Sequence, residues 1–97
     1  MEKVRWGILS TAEINDVVIP PIQSSGRSEL VAVASRSGER ARAYAAERNI
    51  PGSFGSYDEL LADPGIDAVY ISVPNVLHSR WAVRAAEQGK HVLCEKP

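Results

Sequence analysis

The stretch "SRSGER" gathers Ser35, Arg36 and Ser37 and, one helical turn on, Arg40. Guanidinium groups beside hydroxyls suit a phosphate monoester, whose oxygens accept the forked N–H groups of arginine. The competing reading is a solvated arginine beside a helix cap. A second stretch, "GILSTAEIN" from Gly7 to Asn15, leaves an apolar run and opens a helical pattern, where a GxGxxG fingerprint would cradle pyrophosphate. Its glycine slots hold Ser10, Ala12 and Asn15 instead. Ala12 adds only a methyl group, so phosphate can still come close, and a helix N-terminus still offers unpaired N–H groups and a positive dipole end. Ser10 at a positive φ costs about 1 kcal/mol, which the hydroxyls of Ser10 and Thr11 offset by donating to phosphate. Asn15, in the slot used for close helix–strand packing, predicts a wider gap there. The same loop also reads as a plain strand-to-helix connection capped by Ser10 or Thr11. A third stretch, "SVPNVLH", carries Pro74, Asn75 and His78. A proline leaving a strand forces a loop that Asn75 can cap. His78, on the first turn of the next helix, is either a ligand contact or a hydrogen-bonded helix residue.

The elements that must position these groups follow from the hydrophobic pattern. Apolar runs of strand length alternate with helix-patterned segments, as in a parallel sheet joined by crossover helices. Residues 4–9 and 30–35 are nearly continuous apolar runs, expected of central strands covered on both faces. The first helix sets Ile14, Val17, Val18 and Ile22 at helical spacing, with a kink or restart expected at Pro20 and Pro21 and a stop at Gly26. The second spans residues 38–48, with Ala41, Tyr44 and Ala45 on one face and Arg40, Arg42, Glu47 and Arg48 on the exposed side. There follow a short strand near "SFG" and a short helix opened by a capping box of Ser56 and Glu59. A strand over 67–73, a helix over 76–88 ended by Gly89, and a last strand "HVLCE" complete the chain. The expected fold is α/β, a doubly wound parallel sheet in the order 3-2-1-4-5 with helices on both faces, and residues 1–97 are expected to form one domain.

In such open sheets, ligands bind beyond the carboxyl ends of the strands, where the strand order reverses. That rule selects "STAEIN", "SRSGER", "SVPNVLH" and "EKP" as segments converging on one groove. The loop at Ser10 then faces a pyrophosphate and the cluster at Arg36 an adenosine 2′-phosphate. An acid ending the second strand would hold the ribose hydroxyls of NAD. Serine and arginine stand there instead, so NADP is the sharper reading and NAD the less favoured one.

A make-up of 44% apolar and 24% charged residues with net charge −1 carries no bias toward nucleic acid or an anionic membrane. No apolar run approaches the ~18 residues of a membrane span, and "MEKVRW" lacks a signal-peptide core, so a cytoplasmic location is expected. Cys94 is the only cysteine, which excludes an internal disulfide; within "HVLC" it reads as a small buried hydrophobe. No Cys/His cluster has metal-ligand spacing, and no metal is expected.

With "WGILSTAEIN", "VPNVLH" and "GKHVLCEKP" in this order and spacing, the whole sequence resembles the N-terminal domain of the Gfo/Idh/MocA family of glucose-fructose oxidoreductases and inositol dehydrogenases. The resemblance implies a Rossmann domain in which Ser10 to Ile14 hold pyrophosphate, Ser35 and Arg36 meet the 2′-phosphate, and Pro74 and Asn75 line the cofactor groove. Glu95 and Lys96 match the family's EKP motif, whose lysine lies near the nicotinamide ribose and the reacting hydroxyl. Lys96 is therefore the expected catalytic residue, able to polarise a carbonyl or assist proton removal. The small-residue loop with "SR" after the second strand looks like the NADP-using sugar and dihydrodiol dehydrogenases.

Family members continue into an α+β domain that binds substrate. The expectation is thus an NADP-binding portion of an oxidoreductase acting on CH–OH groups of a sugar, cyclic polyol or dihydrodiol. By themselves these residues are expected to bind cofactor without turnover. The expected partners are a nicotinamide dinucleotide and, in the longer protein, a sugar or polyol, with homo-oligomer formation left open. The alternative is a non-catalytic Rossmann-like module that binds nucleotide weakly or self-associates through an open sheet edge.

Overall fold

The computed structural model describes residues 3–12, 15–73 and 75–94, with the backbone alone at Asn75 and Cys94. The expectations for Ile14, Pro74, Glu95, Lys96 and the Cys94 side chain therefore lie outside the described residues. Five parallel strands, β1 (Val4–Leu9), β2 (Ser28–Ala34), β3 (Gly52–Phe54), β4 (Ala68–Ile71) and β5 (His91–Cys94), form one sheet in the order β3-β2-β1-β4-β5. This is the order expected from the sequence. Helices α1 (Asn15–Ser24), α2 (Gly38–Glu47), α3 (Tyr57–Leu61) and α4 (His78–Glu87) provide the crossovers, and a 3-10 turn over Asn75–Leu77 leads into α4.

Successive strand residues serve opposite faces of the sheet. Leu9, Ala32, Ala34, Val69 and Ile71 pack on Leu60 and Leu61 of α3 and Ala85 of α4. Ile8, Val33 and Tyr70 turn the other way, onto Ile19 of α1 and Tyr44 and Ala45 of α2. Both faces are covered, which is why the strands read as unbroken apolar runs rather than as alternating ones. No helix among the described residues is long and apolar enough to cross a membrane.

Helix α1 departs from expectation. It runs from Asn15 to Ser24 with Pro20 and Pro21 inside it and no restart. The two rings leave the carbonyls of Asp16 and Val17 without their helical donors, but both residues are exposed, so water can serve them. Further on, the Ser24 hydroxyl donates to the Pro20 carbonyl at 2.9 Å and the Ser25 N–H to the Pro21 carbonyl at 3.1 Å. The buried stripe is also rotated: Ile19 is buried with Val18 and Ile22 beside it, whereas Val17 is 69% exposed.

Helices α2 and α4 close alike, each followed by a left-handed residue, Asn49 at φ 57° and Gly89 at φ 76°. The next N–H then bonds back into the last turn, Ile50 to the Ala45 carbonyl at 2.9 Å and Lys90 to the Ala85 carbonyl at 3.0 Å. The capping box that opens α3 is realised, with Ser56 accepting from the Glu59 N–H at 3.2 Å and bonded to its carboxylate.

Where α3 crosses β1, a Cβ on Gly7 would come within 2.8 Å of Leu60 Cδ2 and 3.3 Å of Ile66 Cδ1. Both neighbours are buried, so Gly7→Ala is expected to lower stability by about 1–3 kcal/mol in denaturant unfolding.

At the opposite end of the sheet, Arg5 grips Asp67 through Nε and Nη2 at 3.1 and 3.0 Å, and its N–H also donates to that carboxylate at 2.9 Å. These bonds hold the Asp67 pKa down to about 2, from an ordinary 3.8. A depressed carboxyl adds stability above its unfolded pKa and loses it as pH falls through the folded one. The stability gap between the protein and Asp67→Asn should be constant above about pH 5 and close between about pH 4 and 2, as read in unfolding curves across that range.

Candidate phosphate-binding crevice

Strands β2 and β3 lie on one side of β1, and β4 and β5 on the other, so the order reverses between β1 and β4 and a crevice opens beyond their carboxyl ends. Ser10 leaves β1 into this crevice at φ 102°, the positive value anticipated for a glycine slot. Its N–H donates to the Ala34 carbonyl at 2.9 Å, and its own carbonyl accepts from Asn15 Nδ2 at 2.9 Å. Its hydroxyl accepts from the Ala12 N–H at 3.1 Å and lies 3.0 Å from Ser72 Oγ. Ser72 Oγ in turn donates to the Leu9 carbonyl at 3.1 Å. Each serine has one hydroxyl proton, so either hydroxyl can be the donor between the two, with the Leu9 carbonyl or the Ser72 carbonyl as the alternative acceptor. The Ser10 hydroxyl is thus engaged within the loop. The described part of helix α1 begins at Asn15, whose N–H donates to the Ala12 carbonyl at 3.1 Å.

Asn15 is fully buried. Its Oδ1 and the buried Tyr44 hydroxyl both lack a partner of hydrogen-bonding geometry. Burial raises the Tyr44 pKa, and the neighbouring Asn15 amide offsets part of that rise. Arg48, read as part of an exposed face, instead lies over the Tyr44 ring at 3.8 Å and bonds Asp16 at 2.9 Å.

At the end of β2, Ser35 is buried, donates its N–H to the Phe54 carbonyl at 3.1 Å and accepts from the Ser37 N–H at 3.3 Å. Ser37 caps α2, accepting from the Arg40 N–H at 3.2 Å. The serines shape the turn, which leaves Arg36 and Arg40 exposed. One cavity of about 250 Å3 joins Ser10, Thr11 and Ala12 to Ser35, Arg36 and Arg40, with Tyr57 closing it. Two segments singled out separately in the sequence therefore line the same space.

Sequence reasoning missed Tyr57, because "SYDE" signalled only a cap. The tyrosine also lines an adjoining cavity of about 500 Å3 together with Arg36, Leu77 and Trp81. Its ring meets Trp81 edge-on, centroids 5.0 Å apart and planes at 87°. Burial raises its pKa above the ordinary tyrosine value, against the pull of the Arg36 charge, so it stays a neutral hydroxyl. His78 Nε2 lies 2.6 Å from the Val73 carbonyl, and His78 is not among the residues lining these two cavities. Asn75 begins the 3-10 turn that follows β4.

A doubly wound parallel sheet in this order, with a crevice where the order reverses, is a fold of the Rossmann type. Residues 4–97 match the Gfo/Idh/MocA model, an oxidoreductase family with an NAD-binding Rossmann fold, and the chain belongs to that family. It is 59% identical over 98 residues to an uncharacterised oxidoreductase of Rhizobium meliloti, matching all of this chain and 29% of that protein. It is 54% identical over 93 residues to a D-xylose 1-dehydrogenase (NADP(+)) of Haloferax volcanii, covering 95% of this chain and 28% of that one. Among solved structures, a 3-ketoreductase from Actinomadura kijaniata in complex with NADP and TDP-benzene superposes with a TM-score of 0.92 at 35% identity, over 99% of this chain and 30% of that one. The chain thus spans under a third of the length of the relatives it matches.

His78→Ala removes the tie to the end of β4 and is expected to lower stability by about 1 kcal/mol in chemical unfolding.

Proposed function

We propose that this chain is the NADP-binding part of an oxidoreductase acting on CH–OH groups of a sugar, cyclic polyol or dihydrodiol. The observation that carries the reading is the one cavity in which the Ser10–Ala12 loop meets Ser35, Arg36 and Arg40. Its donors fit two phosphate groups at once. Thr11 and the small Ala12 leave room for pyrophosphate, while the Arg36 and Arg40 guanidiniums match a 2′-phosphate. The adjoining cavity, with Leu77, Tyr57 and Trp81 in its wall, offers flat apolar surfaces for an adenine ring, and Arg36 borders both spaces.

Support also comes from the relatives whose names carry NADP and a sugar or inositol, among them the D-xylose dehydrogenase above and a scyllo-inositol 2-dehydrogenase of Bacillus subtilis. A bound nicotinamide dinucleotide would supply hydride exchange. Strand β5 ends at Cys94 in register with Ile71, at the same carboxyl edge as the crevice. In this reading Pro74 and Asn75 line the groove and Glu95 and Lys96 follow β5 into it. The Lys96 ammonium polarises a carbonyl, or assists proton removal from an alcohol, in a substrate held by the rest of the longer protein. These residues alone bind cofactor without turnover.

A second reading rests on β5, which among the described residues has a neighbouring strand on one side only and leaves Val92 and Leu93 exposed. Such an edge can pair with a second copy.

Calorimetric titration separates the two. Saturable NADPH binding, much tighter than NADH binding, is expected. Arg36→Ala should weaken NADPH about 10- to 100-fold and leave NADH nearly unchanged. Equal affinity of the unaltered protein for NADH and NADPH would refute the assignment of Arg36, and no binding together with a concentration-dependent dimer would favour the second reading.

A further inference from the structure

We propose that Ser72 and Asn15 are positioning residues that lock the Ser10 turn and so set the Thr11–Ala12 segment against an incoming pyrophosphate. The proposal rests on the phosphate-loop reading above. Ser10 adopts φ 102°, a conformation that L side chains rarely take and that glycine takes freely. Something other than glycine must hold it there, and the two polar side chains beside it are both buried, Asn15 completely and Ser72 to within 8%. A buried polar group needs partners. Among the described residues, the hydrogen bonds of these two side chains go to Ser10 or to the residue before it, Leu9.

Their grips are complementary. Asn15 Nδ2 holds the Ser10 carbonyl at 2.9 Å, and the Ser10 hydroxyl is bonded to Ser72, lying 3.0 Å from its Oγ and 3.4 Å from its carbonyl. The Ser10 oxygen also accepts from the Ala12 N–H at 3.1 Å, which folds residues 10–12 into a tight turn. Ser72 comes from beyond β4, 62 residues along the chain from Ser10, so the grip spans the switch-point crevice and ties the loop to the β1–β4 register. Asn15 stands in the third glycine slot of the fingerprint. There it contributes a donor, so a position normally left empty for close packing instead holds the turn.

The test titrates two probes, NADPH, which carries a pyrophosphate, and adenosine 2′-monophosphate, which does not. Ser72→Ala and Asn15→Ala are each expected to weaken NADPH binding about tenfold while changing 2′-monophosphate binding less than about twofold. Ser72→Thr, which keeps the hydroxyl, should retain most of the NADPH affinity. In a Ser10→Gly background, Ser72→Ala should lose much less NADPH affinity, because glycine takes the positive φ without strain and has no hydroxyl for Ser72 to bond. Equal losses for both probes, the same loss in both backgrounds, or no loss at all would each overturn the positioning role. If the unaltered protein binds neither probe, the proposed function fails and the positioning role fails with it. Melting temperatures then still read the clamp itself: a Ser72→Ala shift that shrinks in the Ser10→Gly background, leaving only the share of the Leu9 bond, upholds it as a fold element, and an equal shift in both backgrounds overturns it.

Discussion

The Leu9 carbonyl, at the last residue of the central strand, receives both the N–H and the hydroxyl of Ser72, at 3.3 and 3.1 Å, and the crevice takes its shape from that one acceptor. A carbonyl at a strand end has run out of sheet partners and must find others. By taking two donors from the residue after β4, it brings that residue within reach of the loop after β1. On the other flank, the Ala34 carbonyl of β2 receives the Ser10 N–H. The first loop is thus moored to both neighbours of β1, and the placement of β1 between β2 and β4 is the condition for everything built beyond the sheet.

The second wall of the crevice depends on packing rather than on backbone acceptors. Tyr57 opens a helix of only five residues, too short to hold itself in water. Its capping box, the burial of Leu60 and Leu61 and the edge-on contact with Trp81 fix it. An ion pair between Arg84 and Asp58 at 2.8 Å joins α4 to α3 as well, but both side chains are largely exposed and such pairs add little. Aromatic and aliphatic burial is the larger contribution. Positive charge at the site is local: the chain carries net −1, and Arg36 and Arg40 are concentrated where β2 ends.

The sheet and its order were legible in the sequence because strands covered on both faces read as continuous apolar runs separated by helical patterns. The positive φ at Ser10 and the capping serine at Ser56 were legible for a related reason, since each is decided within a few residues. What local reading missed was decided elsewhere. Ser72 looked like one more strand residue, and its partners lie 62 and 63 positions away. Tyr57 looked like the first residue of a helix, and its role depends on Trp81 of another. The prolines of α1 carried a breaking signal that the tertiary setting overrode, because the carbonyls they deprive belong to exposed residues. His78 could be a ligand contact or a helix residue on pattern alone, and its contact with the Val73 carbonyl, five residues back, is not one that the pattern signals.

A loop built from serine, threonine and alanine also alters the unfolded chain. Glycines at these positions would sample far more backbone conformations before folding, all of them surrendered when the turn closes. The side-chain-bonded version begins from a narrower ensemble. It also forgoes the freedom that lets a glycine-rich segment mould itself around whatever arrives. Ligand encounter at such a loop resembles docking onto a finished surface, with little ordering to be done after contact. Under the proposed phosphate role, the penalty for a poorly fitting anion would rise accordingly, and the substitution of glycines that looks like erosion of a fingerprint would trade tolerance for selectivity.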